Sequence, residues 1–414
     1  MNVNRLISLA LWLSLAVSVP AWAEGGQATP ARHPTYNMLG RDASAVSSPL
    51  NPNFVVSEEA HMKEGGFWRS TYINENLVGL AVADIDRDGQ NEVVYASEKN
   101  VWATRFNGAS LTPLGRYSVP TTQRIASVDL LDLDGDGRLE TICSAQDEKG
   151  APIGFILKFD DSTLTPVAQK LPWFLRVVSS GDSRFLAGQR AATDGSRVYS
   201  GGVQRLSFNG SSLASEGAVG LPEHVDLFNF IQGRLGSGGS MTAAIRFPSE
   251  HIFLYESQNR AWESREEYGG TMTYLAPQNN RDSSDRRREF LPTRLLIFDI
   301  DGDGQNELIA AKNDRGGVPF MSNQRDFSSG AIQAFKYQNL SLTPFFRTRT
   351  LPGAVADIQL ADFRNNGTLS LVAAVVTQSK SGMLSEGRSL IVAYDLSGPG
   401  GETAPPAKAV KGGQ

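Results

Sequence analysis

Residues 299–307 read DIDGDGQNE, and close copies stand at 84–92 (DIDRDGQNE) and 132–140 (DLDGDGRLE). Each places aspartates at positions 1, 3 and 5, a glycine at position 6 and a glutamate at position 9. Neighbouring carboxylates repel by roughly 1 kcal/mol in water, and by more near a protein surface. A bound cation offsets that repulsion. Asp and Gly are also ordinary turn residues, but a plain turn has no need of a glutamate at one fixed distance in all three copies.

The flanks repeat as well. LAVADIDRDGQNEVVYAS, VDLLDLDGDGRLETICSA and LLIFDIDGDGQNELIAAK share an apolar stretch before the loop and a β-rich stretch after it. A second phrase follows downstream, as RFNGASLTP (105–113), KFDDSTLTP (158–166) and KYQNLSLTP (336–344), with a related SFNGSSL at 207–213. Asn-Gly between apolar runs signals a hairpin. Each unit therefore reads as four antiparallel strands, and helical periodicity is nearly absent. Four strands recurring every 45 to 65 residues or so point to an all-β chain whose units are the blades of a β-propeller.

Six units are legible, near 77–117, 125–171, 174–219, 225–267, 290–351 and 354–397. The last lacks a fourth strand, while FWRSTYIN (67–74) is a strand without a sheet. Joining the two closes the ring and hides its open edges. Seven blades remain an alternative if residues 30–66 supply strands. Residues 24–66 read as a partly irregular extension, and the Gly/Pro-rich 398–414 reads as a disordered tail.

Calcium takes about six to eight oxygen ligands in flexible geometry. In the first loop Asp84, Asp86, Asp88 and Glu92 supply carboxylates and Gln90 a backbone carbonyl. The second supplies Asp132, Asp134, Asp136 and Glu140 with the Arg138 carbonyl. The third supplies Asp299, Asp301, Asp303 and Glu307 with the Gln305 carbonyl. An EF-hand sets its bidentate glutamate at position 12 between helices, so this is a different loop. About three calcium ions are expected. The segment DFRNNGTLS (362–370) keeps Asp362 and Gly367 but has Arg364, Asn366 and Ser370 where the others have acids. Arg364 can itself replace the cation, so no calcium is expected there or in the two central units.

With these loops the chain resembles the VCBS and FG-GAP repeat family, the calcium-loop propellers of bacterial exported proteins and of integrin α-subunits. The likeness is strong over three blades and weaker over the others, and the bacterial VCBS-type proteins are the nearer match. It implies calcium at the loop residues just named. Family members are mostly adhesion, binding or uncharacterised proteins, so the resemblance speaks to fold and metal more than to partner.

The first residues, MNVNRLISLALWLSLAVSVPAWAE, combine Arg5, a short apolar run and Ala21-Trp22-Ala23, the pattern of a cleavable signal peptide over 1–23. A periplasmic or secreted product is expected, and no later stretch reads as a membrane span. Without Arg5 the chain keeps 38 basic and 44 acidic residues, a net charge of −6, which argues against nucleic acid as a partner. The one cysteine, Cys143, sits in an apolar run, and the four histidines show no ligand spacing. No paired catalytic carboxylates and no Gly-x-Ser-x-Gly elbow are evident.

Strand parity puts the acidic loops and hairpin turns on one face of the disc. The opposite face carries the stretches 268–290, 312–330 and 377–389, and long loops on a rigid scaffold tend to carry function. The expectation is a monomeric, non-catalytic binding module for a protein or glycan that meets its partner there. The cluster Arg281, Arg286, Arg287 and Arg288 offers charge to an acidic partner, or is a solvated loop balanced by Asp282, Asp285 and Glu289. The alternatives are a propeller lectin, against which the tryptophans show no common register, and a polysaccharide lyase or hydrolase.

Overall fold

Among the described residues, six four-stranded antiparallel sheets, two of them joined edge to edge, account for nearly all of the regular structure. The computed structural model describes residues 66–181, 183–279, 288–316, 325–378 and 387–396, all within one compact unit, Pro49–Gln414. The expected leader, the extension up to residue 65, the tail, and Arg281, Arg286 and Arg287 lie outside the described residues.

A short strand, β1 (Phe67–Arg69), precedes the first full sheet, β2 (Leu77–Ala83), β3 (Glu92–Ser97), β4 (Asn100–Phe106) and β5 (Leu111–Ser118). The second is β6 (Gln123–Leu131), β7 (Glu140–Asp147), β8 (Gly154–Asp160) and β9 (Thr163–Leu171). The third is β10 (Phe174–Ser180), β11 (Ser183–Ala191), β12 (Tyr199–Phe208) and β13 (Leu213–Ala218). The fourth is β14 (Phe230–Arg234), β15 (Ser240–Arg246), β16 (His251–Glu256) and β17 (Asn259–Glu267). One parallel pairing, Ser180 with Gln232, joins these last two sheets edge to edge. A two-stranded ribbon, β18 (Tyr274–Leu275) and β19 (Glu289–Phe290), intervenes. The fifth sheet is β20 (Leu296–Phe298), β21 (Glu307–Arg315), β22 (Phe327–Gln338) and β23 (Ser341–Arg347). The sixth is β24 (Ala354–Ala361), β25 (Ser370–Gln378) and β26 (Arg388–Asp395), completed by β1.

That last pairing is the expected closure. Phe67, Trp68 and Arg69 lie opposite Tyr394, Ala393 and Val392. Trp68 also packs on Phe106 and Phe363, with ring centroids 5.2 and 4.9 Å away, and its indole N–H donates to the Ala109 carbonyl at 2.9 Å. The N-terminal strand thus bolts the sixth sheet to the first.

The core is divided among the gaps between neighbouring sheets. Val94 and Leu157 fill the first gap, Ile156 and Leu186 the second, and Phe185 and Phe228 the third. Leu254 and Phe335 fill the fourth, Ile332 and Val375 the fifth, and Val93 and Ile391 return from the sixth sheet to the first. Six apolar wedges around a closed circuit make a β-propeller. Because each sheet is covered on both faces, strands such as EVVYAS in β3 are buried at every position. Of the outer strands, β5 is half exposed and β13 mostly exposed.

Two polar stretches differ from their reading as loops. Of 312–330, Lys312–Arg315 extend β21 and Phe327–Gly330 belong to β22, with Asn313 opposite Gly330. Composition favoured a loop, but Asn313 donates its side-chain amide to the carbonyls of Gly270 and Val355 and accepts from the Val355 N–H. Gly330 makes room for it, since a Cβ there would sit 2.4 Å from Asn313 Oδ1. Likewise 268–290 contains the β18–β19 ribbon. The Asn-Gly hairpins are each closed by their asparagine. Asn107 N–H donates to the Ser110 carbonyl, and Asn107 Oδ1 accepts from the N–H groups of Ala109 and Ser110.

Candidate functional site

Each acidic loop joins the first strand of its sheet to the second, and its first aspartate organises the backbone. Asp84 accepts N–H bonds from Arg87, Asp88 and Gly89. Asp132 accepts from Gly135 and Gly137, and Asp299 from Gly302, Asp303 and Gly304. The position-6 glycines Gly89, Gly137 and Gly304 have φ of 87°, 82° and 84°, a region where side chains are strained.

The other acids split their two oxygens. At position 3, Oδ1 of Asp86, Asp134 and Asp301 accepts the N–H of position 5. At position 5, Oδ1 of Asp88, Asp136 and Asp303 accepts the N–H of Gln90, Arg138 and Gln305. At position 9, Oε2 of Glu92, Glu140 and Glu307 reaches back to the N–H of Ile85, Leu133 and Ile300. One oxygen of each carboxylate therefore holds the loop, and the second remains for another partner. Oxygens of Asp84, Asp86 and Glu92, of Asp132, Asp134 and Asp136, and of Asp299, Asp301 and Asp303 each gather within 4.8 Å of one another.

The glutamates are the buried members, Glu140 at 2 % exposure and Glu92 and Glu307 at 0 %. Burial pushes Glu92 and Glu307 up to about 7 against the lowering effect of their backbone bonds, and raises Glu140 in the same way. Glu140 Oε1 and Glu307 Oε1 are buried without a hydrogen-bond partner. A buried orphan of this kind costs about 1–3 kcal/mol or more. An oxygen-seeking cation within reach of it would satisfy it, and the all-oxygen donor set is of the kind calcium takes.

A basic residue faces each loop, and the sequence reading passed over it. Arg105 on β4 lies directly across from Glu92. Lys158 and Lys336 hold the same place opposite Glu140 and Glu307, one step beyond the pairs Thr141–Leu157 and Leu308–Phe335. Lys158 Nζ is 2.7 Å from Asp136 and 3.8 Å from Asp134, and Lys336 Nζ is 2.6 Å from both Asp301 and Asp303. These lysines hold Asp136 and Asp303 below the usual carboxylate range. The signal was present in the repeated phrases as the residue before each aromatic, in RF, KF and KY. Strand register is what turns it toward the loop.

The sixth sheet reverses the arrangement. Arg364 stands in the loop and pairs with Asp395 on β26 at 3.0 Å, and Ser370, at the glutamate position, donates to the same carboxylate at 2.9 Å. Asp362 still wraps the turn through Asn366 and Gly367. Neighbouring loops are also tied together. Arg87 donates to the Asp136 carbonyl at 2.6 Å, and Asn91 bonds Asn365 and the Asp362 carbonyl. The third and fourth sheets turn instead at Gly181 and at Leu235–Gly239.

On the opposite face a cavity of about 740 Å³ opens between the first and sixth sheets and the segment that carries residues 271–274 and Phe290. Glu75, Lys99, Tyr274, Arg288, Phe290 and Arg325 contribute to its walls. Tyr274 has the guanidinium of Arg124 3.8 Å and that of Arg288 4.3 Å from its ring centroid. Arg325 lies 3.9 Å from the Phe290 centroid and pairs with Glu250. Val78, Thr271, Thr273 and Ala356 continue from the cavity into a small void that ends at Arg294, Asp357 and Arg176.

Residues 76–143 match the FG-GAP-like repeat family. The matched segment spans β2 to the middle of β7 and contains the first two acidic loops. A search of curated proteins finds no match. Solved structures that align include a chain of the mitotic checkpoint complex, at 12% identity over 83% of this chain and 99% of that one, with a TM-score of 0.37. The soluble aldose sugar dehydrogenase of Escherichia coli aligns at 13% identity over 79% and 99%, with a TM-score of 0.38. The WD40 domain of Toxoplasma gondii coronin aligns at 10% identity over 79% and 71%, with a TM-score of 0.36.

Proposed function

We propose that this chain is an exported, non-catalytic binding module, a β-propeller whose acidic loops take calcium on one face while the other face receives a polar partner, a protein or a glycan. The metal reading is carried by the clustered acid oxygens of the loops, above all the orphaned Glu140 Oε1 and Glu307 Oε1. Asp132, Asp134, Asp136 and Glu140 would hold one ion and Asp299, Asp301, Asp303 and Glu307 another. The carbonyls of Arg138 and Gln305 complete each set. Calcium here is structural, fixing the turn between the inner two strands.

The binding reading is supported by the 740 Å³ cavity, within the size range of ligand sites, on the face opposite the loops. Among the described residues the only large hydrophobic side chains exposed are Tyr72, Val167, Phe247 and Leu340. Scattered apolar residues of this kind do not make a hydrophobic docking patch, so a polar partner is favoured.

The test is a glycan array together with cross-linking capture from cell envelope, comparing the parent with Lys99→Glu and Tyr274→Ala. Ligands lost with both variants but kept after substitution on the loop face support the reading. Release of reducing sugar from charged or neutral polysaccharides would refute the non-catalytic part.

A further inference from the structure

The acidic loops are not equivalent, and the difference lies in the base across from each glutamate. In the second and fifth sheets that base is a lysine, whose Nζ stays with the aspartates. Lys158 Nζ is 4.0 Å from Glu140 Oε1, and Glu140 Oε1 and Glu307 Oε1 keep no hydrogen-bond partner. In the first sheet the base is Arg105. Its Nε donates to Glu92 Oε1 at 2.6 Å, and its Nη2 donates to the same oxygen. Its Nη1 is 2.7 Å from Asp88 Oδ2, and Nη2 is 3.4 Å from Asp86 Oδ2. One guanidinium thus takes up the free oxygens at positions 3, 5 and 9 together.

We infer that Arg105 is a built-in cation that fills the first loop, so that only the loops of the second and fifth sheets bind calcium. This rests on the calcium reading of those two loops. Arginine suits the role because its fork is planar, presents five donors and stays charged at any physiological pH. Lysine is a flexible point charge that can swing out when a divalent ion arrives. The first loop retains three acids within ligating distance of each other, so the guanidinium and not a missing ligand is what excludes the ion.

The placement is consistent with the fold. The sixth sheet also has an arginine in its loop, Arg364 paired with Asp395. The first and sixth sheets flank the seam that β1 closes. Both arginine-filled loops therefore lie beside the closure, and Asn91 and Asn365 tie them together. The seam is set without metal, and the two ion-dependent loops stand further round the ring.

The experiment is a calorimetric titration of chelator-stripped protein with calcium chloride, comparing the parent with the swaps Arg105→Lys and Lys336→Arg. The expected stoichiometries are two for the parent, three for Arg105→Lys and one for Lys336→Arg. Each swap preserves charge and approximate length, and a melting curve in calcium checks that it folds. Should Arg105→Lys fail to fold, Lys336→Arg alone still reads the same property. Three ions in the parent, or two in both folded swaps, overturn the inference. No ions in any protein would instead refute the calcium reading on which it rests.

Discussion

Arg294 reaches across the centre of the ring to Asp129, its Nη1 2.7 Å from the Asp129 Oδ1. Its Nε and Nη2 are each 3.0 Å from the Asp357 carboxylate, so one side chain joins the fifth sheet to the second and the sixth. The carboxylates are anchored in turn, Asp129 accepting from the Val177 N–H and Asp357 from the Leu80 N–H. Burial would lower the Arg294 guanidinium, but the two acids overcome it and raise it. Arg176, beside the same Asp129, is lowered by burial and then by the like charge of Arg294.

Replacing Arg294 with Met leaves two carboxylates, 1 % and 3 % exposed, without their shared cation. Removing one partner of a buried ion pair costs about 3–5 kcal/mol. We expect a loss of that order in urea denaturation followed by tryptophan fluorescence. Adding Asp129→Asn and Asp357→Asn to the same chain should recover more than half of it. A loss below about 1 kcal/mol would show that water already screens the cluster.

If the acidic loops hold calcium as proposed, chelation should destabilise the protein, because a ligand that binds only the native state stabilises it by mass action. At a free concentration 100-fold above Kd each site contributes about 2.7 kcal/mol. Differential scanning calorimetry with chelator and with excess calcium should separate the two melting curves. Glu140→Ala and Glu307→Ala should each narrow the gap. An equal gap in parent and variants would place the ions elsewhere.

The pH dependence carries an opposite sign in the two states. Glu307 has a folded value near 7, raised by burial, above its ordinary value of roughly 4.3. Between those values the metal-free folded state holds more protons than the unfolded one, so this group's stabilising contribution is lost as pH rises toward 7. Calcium binds the ionised form, so its affinity rises over the same window. In chelator at pH 8, Glu307→Gln should therefore melt at or above the parent. In calcium at pH 8 it should melt below it. The same ordering in both buffers would sink the assignment.

Much of this was legible in the chain because its cues are local. The acids at positions 1, 3, 5 and 9, the turn glycines and the apolar strands lie within a few residues of one another. The orphan strand and the incomplete last sheet also showed where the ring must close. The basic residues Arg105, Lys158 and Lys336 were visible but mute, because only cross-strand register turns them toward Glu92, Glu140 and Glu307. Arg294 was beyond reach for a different reason. Its partners Asp129 and Asp357 are brought to it by the closed ring, and no local pattern encodes that meeting. Polar segments such as Lys312–Arg315 misled because side-chain bonds to a neighbouring sheet stand in for apolar burial.

Closure itself can be tested at Trp68. Its ring packs on Phe106 and Phe363, its N–H holds the Ala109 carbonyl, and its strand covers the edge of β26. Full burial of a tryptophan makes its loss to alanine worth about 3–5 kcal/mol, and Trp68 is partly exposed, so about 2–3 kcal/mol is expected. The loss should fall unevenly. With β1 loosened, the N–H groups of β26 that face it exchange with solvent, while strands of the third sheet stay protected. Hydrogen exchange read by mass spectrometry should show faster uptake over residues 388–396 and in the 107–110 hairpin, with little change over 183–191. Uniform uptake around the ring would mean that the seam is no weaker than any other gap.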